Sequence, residues 1–209
     1  MIGRGRLADL WMMERPSGRS PEYAVIVWCR LGRDPNDPHR SDPKRKEWFV
    51  DYVAAKEKIW RSKEVANTGP TAGVRGNMLV PDIRPTEDVE RHRIPITESF
   101  AHEVQEAWLN TLLLTRYADN SERGIEGTPV EFCCLDLFGA TWSPKTGLPA
   151  MLTDLGRKLG ALARSEEKDR EPLVAEAASL ARKIAKEAEA EQIKLFGKKM
   201  SGESPVRKN

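Results

Sequence analysis

Apolar residues along this chain recur with two different periods, and the changes between them divide the sequence into segments. Tyr23 to Leu31, YAVIVWCRL, is rich in β-branched and aromatic residues and short enough for a buried strand. GRDPNDPHRSDP follows, with three prolines among Asp and Asn, and reads as loop. Ser41, Asp42 and Pro43 then supply a cap and a helix-compatible proline. In the segment after them Phe49, Tyr52, Val53, Lys56, Ile59 and Trp60 recur at helical spacing, which predicts a helix over residues 44–63. A glycine-rich loop at 67–77 leads to MLVPDI, a short or edge strand because Pro81 cannot donate to a ladder. TEDVERHRIP reads as a charged connector. Thr97 caps a helix over 98–118 whose Phe100, Val104, Trp108 and Leu112 line one face. VEFCCLDLF, residues 130–138, reads as a strand and GATWSPKTGLP as a turn. Two helices finish the pattern, at 150–165 and at 172–196, the second with Pro172 in its first turn.

This order of elements predicts an α+β fold, predominantly helical, in which a small mixed or antiparallel sheet is covered by helices and followed by a C-terminal helical hairpin. The expected organisation is a flexible basic arm at 1–21, an α+β core domain at 22–147, the hairpin at 148–197 and a disordered tail at 198–209. Gly156 and Gly160 share a helix face, which predicts close approach of a neighbouring helix.

Composition adds constraints. The chain has 209 residues, 39% hydrophobic and 32% charged, so a core is affordable but much of the surface is polar. The longest uninterrupted apolar run, Ala24 to Cys29, falls far short of the ~20 residues of a membrane span. Arg4 and Arg6 precede no apolar signal core, so a cytoplasmic location and no membrane partner are expected. Three cysteines, one isolated and two adjacent, fit reduced thiols better than disulfides or a zinc site. The net charge of +2 conceals segregation: residues 1–63 carry 14 basic and 9 acidic side chains, 64–155 carry 7 and 14, and 156–209 carry 13 and 9. Basic ends thus flank an acidic middle.

Candidate chemistry is sparse. HEVQE, at 102–106, offers His102 and Glu106 on one helix face but lacks the second histidine of the zinc-protease motif. TGPTAGVRG lacks the Lys-Ser/Thr ending of a phosphate-binding loop and follows a predicted helix. No nucleophile elbow is present. The chain therefore reads as non-catalytic, without metal or cofactor. The predicted helix at 44–63 mixes Lys44, Arg45, Lys46, Lys58, Arg61 and Lys63 with Trp48, Phe49, Tyr52 and Trp60. Phosphate contacts and aromatic stacking are the ingredients of single-strand and RNA binding, although the aromatics also fit a buried stripe. With Arg4, Arg6 and Arg75 these cations are the candidate nucleic-acid-binding residues.

One short segment resembles a known peptide. Gln192, Ile193, Lys194, Leu195 and Phe196 are similar to the motif by which many bacterial replication and repair proteins bind the sliding clamp, with isoleucine in place of the usual first leucine. The resemblance implies partner binding through Gln192, Ile193, Leu195 and Phe196, and the sliding clamp as a partner. The same residues equally continue the apolar face of the last helix, with Gly197 as its cap. The function expected is that of a non-catalytic accessory protein binding DNA or RNA, a subunit of a larger protein–nucleic acid complex. The alternative is a protein-assembly module whose charge-segregated surfaces attract one another.

Overall fold

The computed structural model describes residues 6–16, 21–34, 37–56, 60–66, 77–83, 88–114 and 127–200. Eight strands and three helices occur in it: β1 (Arg6–Glu14), β2 (Tyr23–Asp34), β3 (Asp37–Ala55), β4 (Trp60–Ala66), β5 (Asn77–Ile83), β6 (Val89–Ile96), α1 (Glu98–Leu113), β7 (Pro129–Cys134), β8 (Leu137–Trp142), α2 (Gly147–Arg164) and α3 (Arg170–Met200). Six strands form one sheet in the order β6-β3-β2-β1-β7-β8, and β4 pairs with β5 separately. Every pairing is antiparallel.

The fold is therefore α+β but not predominantly helical, and the corrections share one cause. KEWFVDYVA fits a helical period, yet Trp48, Val50, Tyr52 and Ala54 also alternate with Glu47, Phe49, Asp51 and Val53. Its aromatic and β-branched content favours a pleated, two-sided environment, and β2 and β6 lie on either side of it. The predicted helix is thus replaced by β3 and β4. The same override turns residues 6–14 of the expected basic arm into β1, the charged connector into β6, and GATW into part of β8. MLVPDI does form a short strand, β5, with Pro81 opposite Ser62.

Strand alternation puts Leu10, Met12, Val25, Val27, Val50, Tyr52, Ile94 and Phe132 on the face that the helices cover, all buried. α1 contributes Phe100, Val104, Trp108 and Leu112 to this core, as its spacing predicts, and Thr97 Oγ1 accepts the Phe100 amide at 3.3 Å. α2 contributes Leu152, Leu155, Leu159 and Leu162. α3 packs mainly on α1 and α2, through the buried Ala177, Ala181, Ile184 and Ala188. Gly197 lies inside α3 and does not terminate it.

Gly156 and Gly160 do allow close approach, but to the sheet. A Cβ on Gly156 would overlap the thioether of the fully buried Met12, and one on Gly160 would sit 3.2 Å from Tyr52 and Val25 carbons. Beside Gly156, Arg157 clamps Glu14 with two hydrogen bonds, 2.6 and 3.1 Å, while the Tyr23 hydroxyl donates to the same carboxylate. Burial alone would raise the Glu14 carboxyl. The Arg157 and Tyr23 hydrogen bonds, with the Arg157 charge, outweigh it and hold the group below its ordinary 4.5.

Gly156→Ala is expected to destabilise the protein by about 1–2 kcal/mol in urea titration, because overpacking outweighs the gain in helix propensity. Because the Glu14 carboxyl is lowered in the folded state, its contribution is present above pH 4.5 and lost as pH falls through the folded value. Glu14→Gln should cost about 1–2 kcal/mol at pH 7 and flatten the acid limb of stability against pH. Parallel acid limbs for the two proteins would refute this.

Candidate nucleic-acid interface

The face of the sheet opposite the helices is unusually aromatic. Strand register places Phe138, Cys133, Trp11, Ile26, Asp51 and Arg93 in one row across all six strands. The next row holds Trp28, Phe49 and Pro95, and beyond it Arg30 pairs with Glu47. Period-two alternation alone puts these residues together, since their neighbours in sequence fill the core.

Aromatic rings and guanidinium groups interlock here. Trp28 and Phe49 stack with centroids 4.9 Å apart, and Trp11 meets Phe138 edge-on at 5.8 Å. Arg93 lies 4.6 Å from the Trp28 centroid and 5.7 Å from that of Phe49, while Arg30 lies 5.1 Å from Phe49. Asp51, 1% exposed, fixes Arg93 by a bidentate pair of 2.8 Å bonds. Glu47 holds Arg30 through a single carboxylate oxygen, Oε2, which lies 2.8 Å from both Nε and Nη2. Phe138 is 57% exposed and Trp142 40%, both projecting from this face at β8.

Pairing also gathers basic positions at one end of the sheet. Arg6 of β1 lies opposite Arg30 of β2, and Lys46 of β3 lies opposite Leu31. Lys44, Arg45 and Lys46 are exposed beside a break in the β2–β3 register. The stem of Arg45 crosses Gly32, where an added Cβ would lie 2.6 Å from Arg45 Cγ. Lys46 Nζ is 3.8 Å from Glu98 at the start of α1. Of the other predicted cations, Arg61 and Lys63 lie in β4, whereas Arg4, Lys58 and Arg75 lie outside the described residues. Trp48 and Tyr52, predicted as stacking or core residues, are buried in the core.

The predicted peptide occupies the last turns of α3. Gln192 Nε2 donates over a long 3.5 Å to the Asn110 carbonyl of α1, and Leu195 helps line a cleft of about 620 Å³ with Leu114, Leu148 and Pro149. Ile193 points away, 64% exposed. Helical geometry thus separates Gln192 and Leu195 from Ile193, and the side chain of Phe196 is outside the described residues. His102 sits edge-on to Trp48 at 5.4 Å with Glu98 3.5 Å away. Among the described residues no three His, Cys, Asp or Glu side chains gather at metal-binding distance, and no helix is long and apolar enough to cross a membrane.

Sequence reasoning missed the Asp51–Arg93 pair and the Glu14–Tyr23–Arg157 cluster, whose members are remote in sequence. The alternation of KEWFVDYVA was the one available signal for the first. Comparison of the chain with family models, curated proteins and solved structures returned no match.

Arg93→Ala is expected to cost about 2–3 kcal/mol, because it leaves the buried Asp51 carboxylate without its cation. It also uncovers Trp28, so its tryptophan emission should shift to the red relative to wild type under native conditions. An unchanged spectrum and stability would show that the guanidinium does not seal this face.

Proposed function

We propose that this protein is a non-catalytic accessory protein that binds single-stranded nucleic acid, as a subunit of a larger protein–nucleic acid complex. The observation that carries the reading is the outer sheet face, where the exposed Phe138 and Trp142 and the half-buried Trp11 and Phe49 share one sheet with the exposed Lys44, Arg45 and Lys46. Base stacking on aromatic side chains contributes about 1–3 kcal/mol per base and tolerates any sequence, because every base has a π face. Neighbouring cations neutralise phosphates and make affinity depend steeply on salt. A broad pleated surface suits unstacked bases better than duplex, whose bases are shielded within grooves. Because Asp51 and Glu47 already compensate Arg93 and Arg30, the net attraction for phosphate falls to the basic end of the sheet.

Fluorescence anisotropy with mixed-sequence single-stranded DNA, RNA and duplex DNA tests the proposal. Single strands should bind more tightly than duplex, with Kd rising steeply between 50 and 200 mM salt, roughly as the number of neutralised phosphates dictates. Lys44, Arg45 and Lys46 replaced together by Ala should weaken binding about tenfold or more and reduce the salt slope. Phe138→Ala should weaken it at unchanged slope. Absence of binding at low salt would refute the reading.

A further inference from the structure

Helix α3, 31 residues long, packs on α1 and α2 through one face and presents another to solvent near its C-terminal end. Among the described side chains of this helix the last buried one is Ala188. At about 100° of rotation per residue, Ala190 and Ile193 fall on the side turned away from the buried Ala181, Ile184 and Ala188. Both are exposed, Ile193 by 64%, more than any other large apolar side chain among the described residues.

The charges around this face are self-complementary. Glu187 and Lys194 flank Ala190 on one side, and Lys186 and Ile193 flank it on the other. When two such helices lie antiparallel across a twofold axis, each flank meets the same flank of the other helix. Centring the pair on Ala190 sets Glu187 against Lys194 of the second copy, and Ile193 along the methylenes of Lys186 of the second copy, each twice by symmetry. The next register toward the start of the helix would oppose Glu187 to Glu187, and the next toward its end Lys194 to Lys194. Only the centred register opposes unlike charges. Within one helix Lys194 already bonds Glu191 at 2.7 Å, and Glu187 has Lys183 at 3.9 Å. All four are exposed, so each contact between copies joins two existing pairs into a network and buries no unpaired charge. Glu187, Ala190 and Lys194 also line the cleft of about 620 Å³, so a helix laid on this face lies across its mouth.

We infer that the end of α3 docks a second copy of the chain, α3 against α3, antiparallel about a twofold axis at Ala190. In this register residues 180–200 of the two copies overlap over about 30 Å. The contact uses the same patch on both copies, so it closes at two and gives a dimer rather than a filament. It stands on α3 alone and requires no nucleic acid.

Sedimentation velocity of the full chain without nucleic acid should show a dimer that dissociates on dilution and weakens with added salt. Ile193→Lys sets a like charge against Lys186 of the second copy and should raise the dimer Kd at least tenfold with an unchanged far-UV circular dichroism spectrum. Glu187→Lys and Lys194→Glu each oppose like charges across the axis and should sediment as monomers when alone. An equimolar mixture of the two variants should restore the dimer, because every pair between a copy of one and a copy of the other is again opposite in sign; a misfolded variant would not be rescued in this way. Ala190→Cys tests the register independently. With helix axes about 8–10 Å apart the two Cα atoms at the axis come within about 6 Å, so mild oxidation should link two copies. Glu189→Cys, on the far side of the helix, should not link them above the wild-type level. A monomer at every concentration, no recovery on mixing, or equal cross-linking of the two cysteine variants would overturn the inference.

Discussion

Strand β1 pairs on both sides, and the architecture depends on that double pairing. On one flank it joins β2 and, through it, β3 and β6; on the other it joins β7 and β8. Without it the sheet would be two separate pieces with exposed edges. From Leu10 to Glu14 the strand is paired on both flanks, so its side chains must suit both faces of the sheet. Met12 goes to the helix face, where it fits against Gly156, and Trp11 goes to the outer face, where it meets Phe138. Glu14, at the end of the strand, is held by Arg157 of α2 and Tyr23 of β2. Close backbone approach and a buried charged cluster thereby locate α2 on the sheet.

The faces of the sheet divide the work between stability and recognition. The helix face is apolar and largely buried, with α1 and α2 directly on it and α3 packed across both helices. The outer face is aromatic, and its guanidinium groups are tied down by carboxylates. Asp51 is buried between Ile26 and Arg93 in the row, and its pairing with Arg93 offsets the cost of desolvating it. Held in this way, Arg93 shields Trp28 at one end of the row, while Trp11 and Phe138 lie at the other. The proposed binding surface is therefore preorganised, its rings fixed by contacts within the protein before any base arrives.

The edges obey a related logic. Charge and proline at β6 discourage the addition of a further strand. In the C-terminal segment, residues 192–195 lie within α3, with Gln192 facing α1 and Leu195 the neighbouring cleft.

Much of the helical part was legible in the sequence. Thr97 with the Phe100, Val104, Trp108 and Leu112 stripe, the helix through Leu152 and Leu159, and the long helix after Pro172 were readable because a helix buries one face at local spacing. Strands β1, β3, β6 and β8 were not, since Trp48 to Ala54 satisfies periods of both 3.6 and 2 and the residues of 86–96 look merely charged. A strand becomes stable through partners distant in sequence, and its hydrophobic pattern cannot name them. The same limit applies to the site. The sequence by itself determined the basic residues at 44–46, the aromatic abundance of 48–52 and the helices. Only the tertiary structure decided that Phe49 joins Trp28, Trp11 and Phe138 on one surface while Trp48 enters the core, because strand pairing, absent from any local pattern, assigns each alternate residue to its face.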